Sequence, residues 1–360
     1  MLIPLDTYKK IFSWKYRFWF RDCVVRNKDI FVFVMEPSYT DAQVKEEEEN
    51  GWDADLRMKA VFSFVRTLEK DKQWGAQFLQ NWQAMVIGAA QKPLNQSVTI
   101  ERTSTYPALD LKCYVTGSGP AYEDKNLLPF DLKSRGKNGN FIRGHLAKLK
   151  SLDGWLYGCG GRRTLGKRLE KGVWQSFSQN IPTDDDSLQG FDDFDGWGEN
   201  DIYAAGGMGD VWHFNGKAWR QIAFPSNDPL NSVCCAGDGN VYIAGVTGVY
   251  MGREDRWKRI GPSPSLSLPI KDMVWYEDKV WCTNDYGLWT IEKGRIARAN
   301  VPAEVSACAG NLSVGDGVLL LAGLYGAVFK EKGQWTTIVH FNVMEKLLEL
   351  ERGERKSNLR

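Results

Sequence analysis

The stretch Asp201–Phe224, DIYAAGGMGDVWHFNGKAWRQIAF, decides the fold. It contains a short apolar run, a glycine-rich turn, an alternating run, the dipeptide Asn215-Gly216 and a last run that begins at Trp219. Two alternating apolar runs joined by Asn-Gly are a strong β-hairpin signal, because this dipeptide accepts the positive φ angles of a tight turn. The stretch therefore predicts consecutive antiparallel strands.

The same pattern returns three times downstream, at Asn240–Ile260, Lys279–Ala299 and Gly317–Ile338. One glycine recurs every 39 residues, at Gly209, Gly248, Gly287 and Gly326. The residue before each glycine varies, and these four residues are Met208, Thr247, Tyr286 and Tyr325. A period of about 40 residues, with about four short strands in each unit, is typical of β-propeller blades.

Tryptophan marks the last strand of most units and extends the count backwards. Four equivalent positions are predicted, each with most of its ring buried between neighbouring sheets: Trp174, Trp219, Trp257 and Trp335. Five regular blades then occupy residues 138–340. We interpret residues 1–137 as two irregular blades, the first with an insertion at 38–58 and the second with its second strand in Leu111–Gly119.

The predicted fold class is thus all-β, a seven-bladed β-propeller with a short C-terminal helix in residues 341–360. Val343, Leu347 and Leu350 have helical spacing, which predicts that this face packs on the propeller. The alternative is five or six blades with a separate N-terminal α/β domain. A helix in Trp74–Ala90 would favour that alternative.

Composition limits the function classes. The chain has 46 basic and 45 acidic residues, and this balance argues against a general nucleic-acid binder, which needs a basic surplus. Lys9, Lys10 and Lys15 interrupt the apolar N-terminus, so it does not match a secretory signal. Seven cysteines without metal-ligand spacing indicate reduced, buried thiols. We expect a cytoplasmic monomer without membrane contact.

The repeat text DIYAAGGMGDVWHFNGKAWRQI resembles bacterial propeller repeats of the YVTN/BNR-like and Ycf48-like superfamily. The resemblance covers residues 140–339 and implies the propeller fold, whereas it leaves function open, because such propellers serve as enzymes, assembly factors and inhibitors. The Asp-box pattern Ser-x-Asp-x-Gly-x-x-Trp is only partly kept. At Phe214–Trp219 only its glycine and tryptophan are present, which weakens a sialidase interpretation.

An enzyme would need a convergent set of charged groups. A sialidase-like site could be assembled from five residues, namely Arg162, Arg163, Asp210, Tyr286 and Tyr325. Gly158–Arg168 superficially suggests a phosphate loop, but a strand rather than a helix is predicted to follow it. The three histidines lack metal-binding spacing. No cofactor, metal site or catalytic residue is predicted.

The connection Pro182–Asn200 is unusually acidic and carries embedded aromatic residues. Three interpretations are open: a solvated loop, a calcium site and a surface that docks a basic partner, since charge steers encounter and aromatic rings anchor it. For docking, the predicted contact residues are Asp184, Asp185, Asp186, Asp192, Asp193, Phe194, Asp195 and Trp197.

The varied residues of the repeated turns form a second candidate surface: Met208, Thr247, Tyr286 and Tyr325. Large side chains at turns that need only small polar residues favour binding, although such aromatics are as often packing residues. We therefore expect a non-enzymatic propeller that binds a protein partner, with neutralisation of a toxin as the favoured role. A glycan-processing or small-ligand enzyme and an assembly factor are the alternatives.

Overall fold

The computed structural model describes residues 2–12, 17–50, 58–103, 111–118, 122–123, 142–183, 189–261, 266 and 269–357. Its strands form seven antiparallel sheets of four strands each, and every sheet has its strands in chain order. The protein is therefore a seven-bladed β-propeller, which confirms the predicted fold class. The described residues from Trp74 to Ala90 form two strands, so the alternative with a separate N-terminal domain is wrong.

The chain divides into two compact units. Unit 1 comprises Met1–Asn81 and Asn300–Arg360, and unit 2 comprises Trp82–Ala299. The strands of unit 1 are β1 Arg17–Asn27, β2 Ile30–Ser38, β3 Lys59–Val65 and β4 Trp74–Leu79 in blade 1, and β25 Gly310–Gly315, β26 Val318–Gly323, β27 Gly326–Glu331 and β28 Gln334–His340 in blade 7. Its helices are α1 Leu5–Ile11, α2 Asp41–Glu49, α3 Ala303–Ala307 and α4 Phe341–Ser357.

Unit 2 contains blades 2 to 6. Blade 2 has β5 Met85–Ala90, β6 Gln96–Glu101, β7 Cys113–Gly117 and β8 Tyr122–Glu123, and blade 3 has β9 Leu146–Leu152, β10 Trp155–Gly160, β11 Thr164–Glu170 and β12 Val173–Ser176. Blade 4 has β13 Asp193–Gly198, β14 Asp201–Gly206, β15 Asp210–Phe214 and β16 Trp219–Gln221. Blade 5 has β17 Leu230–Cys235, β18 Val241–Gly245, β19 Val249–Arg253 and β20 Arg256–Ile260, and blade 6 has β21 Asp272–Tyr276, β22 Lys279–Asn284, β23 Gly287–Glu292 and β24 Arg295–Arg298.

The repeated glycine has a local reason at Gly209, in the turn between β14 and β15. Its φ angle is +72°, a conformation that side chains other than glycine rarely adopt. A Cβ atom there would also lie 2.0 Å from the carbonyl oxygen of Ser226. The turn can therefore close against the next connection only with glycine at this position.

The four repeated tryptophans occupy equivalent positions, each at or next to the start of the last strand of its blade. Only Trp174 is fully buried, whereas Trp219, Trp257 and Trp335 are half-buried. The predicted equivalence of the four positions is confirmed, and each tryptophan is at least half-buried. The last strand is an edge strand of its sheet, so one side of these rings is open to solvent.

Two other predictions about elements need correction. Cys113–Gly117 is the third strand of blade 2 and not the second, because Gln96–Glu101 precedes it in the sheet. Helix α4 packs through Met344 and Leu348, which are buried, while Val343, Leu347 and Leu350 are exposed. The helix carries two apolar stripes, and the predicted stripe is the one that faces solvent.

Among the described residues, no helix is both long and apolar enough to cross a membrane. All seven cysteines are free and buried. Burial raises the pKa of the Cys234 and Cys282 thiols above the usual range for cysteine.

Candidate protein-binding surface

The predicted acidic docking residues differ in their location and exposure in the structure. Asp184, Asp185 and Asp186 lie outside the described residues. The others belong to β13 or to the residues just before it, so this part of the connection is a strand and not a loop. Asp192 is the one exposed member of this set within the described residues, and its carboxylate accepts a hydrogen bond of 3.3 Å from the Gly207 amide.

Asp193 and Asp195 point into unit 2. Asp193 is 1% exposed and accepts hydrogen bonds from Lys150 Nζ at 2.8 Å, from Ser232 Oγ at 3.1 Å, and from the amides of Val233 at 2.8 Å and Phe194 at 2.9 Å. Asp195 accepts from the Cys235 amide at 2.8 Å. The expectation that both carboxylates form an exposed patch is wrong. Lys150 of blade 3 pairs with Asp193, and hydrogen-bond donors of blade 5 bind both carboxylates.

These contacts belong to a network of ion pairs and hydrogen bonds that lies on the first strand of each of blades 3 to 6. Strand β9 contributes Lys148 and Lys150, and Lys148 Nζ lies 3.1 Å from Asp272 Oδ2 on β21. Burial lowers the pKa of Lys150, but the carboxylates of Asp193 and Asp195 outweigh it and raise the pKa above its usual range. For Asp195, burial dominates and raises the carboxyl pKa. The acids in β13 therefore connect blades 3, 4 and 5.

The aromatic residues of the same segment are also internal. Phe194 is fully buried, in a cluster with Phe191 and Ile202 between the sheets of blades 3 and 4. Trp197 is half-buried and donates a hydrogen bond of 2.8 Å from Nε1 to the Ala236 carbonyl. Phe194 is thus a core residue, and the prediction that it is a surface anchor is wrong.

The repeated turn residues, in contrast, are exposed. Tyr286 is 82% exposed, Met208 is 52% exposed and Tyr325 is 45% exposed, and Thr247 is exposed as well. Each lies in the turn between the second and third strands of its blade, as the repeat predicts. These side chains are available for contact with another molecule.

The connection between blades 4 and 5 holds two of these turns in place. The Gly209 amide donates to the Asp228 carbonyl at 2.9 Å, and the Val246 amide donates to the Pro229 carbonyl at 3.1 Å. The Thr247 hydroxyl donates to the Asp228 carboxylate. The two turns therefore present Met208, Val246 and Thr247 from a fixed backbone, which lowers the entropic cost of binding a partner.

Two residues of the sialidase-like set, Arg163 and Asp210, meet in unit 2 as an internal ion pair. Arg163 and Asp210 are both buried and bind each other through two hydrogen bonds of 2.7 and 2.9 Å. Trp212 Nε1 donates to the same Asp210 carboxylate at 2.9 Å, and the Arg163 guanidinium lies 4.9 Å from the Trp212 ring centre. This pair is engaged within the protein. Among the described residues, no group of three or more His, Cys, Asp or Glu side chains is arranged to hold a metal ion.

Unit 1 carries surface features that the sequence did not single out as a site. A cavity of about 250 Å³ is lined by Tyr8, Phe12, Phe18, Trp19, Tyr325 and Phe341, together with Arg17, Ser38, Leu324, Asn342 and Glu345. A second cavity, of about 320 Å³, shares Trp19 and Ser38 and is bordered by Val44 of helix α2. The high aromatic content of the first 80 residues was the available signal, but their irregular strand pattern hid which rings meet.

No model of a known protein family matches the chain. The chain is 26% identical over 260 residues to the immune protein Tsi7 of Pseudomonas aeruginosa, a match that covers 71% of this chain and 80% of that protein. The structure of YCF48 bound to D1 peptide superposes with a TM-score of 0.54 at 11% identity, covering 88% of this chain and 94% of that one. The WD40 β-propeller domain of Doa1 also gives 0.54, at 10% identity over 90% of this chain and 97% of that one. The structural matches show the fold, and the sequence match shows that the chain is similar to a bacterial immune protein.

Proposed function

We propose that this protein binds a toxin and neutralises it in the cytoplasm, without catalysing a reaction. The observation that carries the proposal is the 26% identity with the immune protein Tsi7 across most of both chains. A propeller suits this role, because its sheets form a rigid support and its turns can vary without disturbing the core.

Within unit 2, the turn residues Met208, Thr247 and Tyr286 are the proposed contacts. A large exposed aromatic such as Tyr286 supplies apolar area and a hydroxyl group, and such residues dominate the energy of many protein interfaces. Tyr325 presents a comparable ring in unit 1. Asp192 adds an exposed carboxylate near the Gly206–Gly207 backbone, which favours a basic contact residue on the partner.

The first test is a growth assay in bacteria that express the toxic protein encoded by the gene beside that of this chain. The wild-type protein should restore growth. The double variant Met208→Ala/Tyr286→Ala should restore growth less well, with dissociation from the purified toxin about tenfold faster or more, because such truncations act mainly on the off-rate.

The matched control is Val173→Ala, another exposed side chain of unit 2 but one on the last strand of blade 3. It should bind as the wild type does. Both proteins should keep wild-type unfolding midpoints, because exposed substitutions change stability by no more than about 0.5 kcal/mol. If the wild-type protein neither binds the toxin nor restores growth, the proposed function is wrong.

A further inference from the structure

The aromatic cavity in unit 1 is built from rigid pieces of several elements. Phe12 at the end of α1 lies 5.7 Å from Phe341 at the start of α4, measured between ring centres. Phe341 in turn stacks on Phe20 of β1 at 5.6 Å. The remaining wall comes from Trp19 and from Leu324-Tyr325, the turn between β26 and β27. Ring contacts therefore hold the Phe12 and Phe341 walls of the cavity in place.

The size of the cavity limits its occupant. Sites for small molecules usually have volumes of roughly 300–1,000 Å³. At about 250 Å³, this cavity is below that range, and it suits a single apolar side chain. Filling an aromatic pocket with one side chain of a partner is a common way for a protein interface to gain affinity.

Two ion pairs lie at the rims of the two cavities. Arg17 is an exposed side chain whose Nη2 lies 3.4 Å from Glu345 Oε2, and Glu345 Oε1 accepts a hydrogen bond of 2.9 Å from the Tyr8 hydroxyl. Beside the second cavity, Arg21 Nε lies 2.7 Å from Glu36 Oε2, and its guanidinium lies 4.7 Å from the Trp19 ring centre. Because Arg17 and Arg21 each have a carboxylate partner, these two pairs add little net charge to the rim.

The net charge of the neighbourhood comes from helix α2. Its sequence, DAQVKEEEE, has five acidic residues and one lysine. Asp41, Glu46, Glu48 and Glu49 are exposed, and Val44 of the same helix borders the second cavity, which shares Trp19 and Ser38 with the aromatic cavity. Carboxylates on the surface of a helix that borders the second cavity favour a ligand that carries basic residues, because the charges steer its approach.

We propose that unit 1 binds a basic segment of the toxin at this site, with one apolar side chain of that segment in the aromatic cavity of about 250 Å³ and its lysines or arginines along helix α2, which borders the second cavity. This inference rests on the proposed function for the identity of the partner. It names a surface different from the turns of unit 2, and Tyr325 is the predicted contact residue that belongs to it.

The site can be tested without the toxin. The probes are two pentapeptides with blocked ends, one with phenylalanine between two pairs of lysines and one with phenylalanine between two pairs of glutamates. Methyl NMR spectra of the full chain should show that the basic peptide shifts the signals of Val44, Met58 and Leu324, which line the two cavities. Val173 in unit 2 is the control signal and should not move.

Two variants measure how much the carboxylates of α2 and the Tyr325 ring each contribute to binding of the basic peptide. Replacing Glu46, Glu48 and Glu49 by glutamine should weaken binding of the basic peptide about tenfold, and so should raising the ionic strength to about 0.5 M, where the Debye length is under about 5 Å. Tyr325→Ala should reduce the shift of Leu324 and weaken binding even at low salt. Binding of both peptides alike, or of neither, overturns the proposal.

The growth assay separates this inference from the proposed function. If the toxin is neutralised equally well by the wild type, by the triple glutamine variant and by Tyr325→Ala, the unit 1 site is wrong while the immunity role stands. If the basic peptide binds as expected but the protein fails to neutralise the toxin, the site is supported and the proposed function is wrong.

Discussion

Helix α2 and strand β13 are both acidic, and they use their carboxylates in opposite ways. Asp41, Glu46, Glu48 and Glu49 of α2 are exposed. Asp193 and Asp195 of β13 are held by donors on Lys150, Ser232 and the Val233 and Cys235 amides. The difference teaches that acidic composition does not identify a binding surface. A carboxylate is available to a partner only where the fold has not supplied its counter-charge.

The strongest test of this comparison is a matched pair of substitutions, Asp193→Ala in β13 and Glu48→Gln in α2. Asp193→Ala should lower the free energy of unfolding by about 4 kcal/mol, because it leaves the buried end of Lys150 without its carboxylate. Glu48→Gln should change it by no more than about 0.5 kcal/mol. Urea unfolding of both variants measures the difference.

A second substitution sharpens that result. In the Asp193→Ala background, Lys150→Met removes the uncompensated charge and should recover part of the lost stability. Similar losses for Asp193→Ala and Glu48→Gln would mean that the two acidic segments do not differ as described.

The next contrast concerns a single residue type at equivalent positions of the repeat. Trp174→Ala should cost about 3 kcal/mol, since its ring is fully buried, whereas Trp257→Ala should cost about 1 kcal/mol, since its ring is half-buried. Thermal and urea unfolding would measure both losses. Equal costs would show that depth in the structure does not control the contribution of the repeated tryptophan.

The smallest expected effect comes from an ion pair that is neither buried nor fully exposed. Arg66 Nη2 lies 2.8 Å from Glu331 Oε2 and links blades 1 and 7 within unit 1. The hydrogen bond from Arg66 lowers the pKa of Glu331. Because the folded pKa is below the unfolded value of about 4.3, the stabilisation is present above that pH and is lost as the pH falls through the folded pKa.

We therefore expect Glu331→Gln to lower the free energy of unfolding by no more than about 1 kcal/mol at pH 7. The difference between the variant and the wild type should shrink as the pH falls through the lowered pKa of the wild-type carboxyl, because the protonated carboxyl no longer pairs with Arg66. Denaturant unfolding as a function of pH makes the comparison. A difference that grows on acidification would contradict the assigned role of the pair.

Much of the fold could be predicted from local sequence. The 39-residue spacing of Gly209, Gly248, Gly287 and Gly326 and the hairpin signals between them specify the blades, because a turn and a period-two strand are encoded within a few residues. The same repeat placed Met208, Thr247, Tyr286 and Tyr325 in exposed turns, as the structure has them. An available signal was missed in β13. Asp193 and Asp272 each begin the first strand of a blade, and this equivalence indicates a structural role.

Only the tertiary structure decided which apolar or acidic faces have partners. Helix α4 has one apolar stripe with Met344 and Leu348 and another with Val343 and Leu347, and both satisfy the helical period. Packing in unit 1 selects the first stripe. Likewise, the counter-charge of Asp193 is Lys150, 43 residues away in the chain. The aromatic cavity of about 250 Å³ is lined by residues of both α1 and α4. Local periodicity determines which residues share a face, but burial and charge pairing depend on residues that are distant in the sequence.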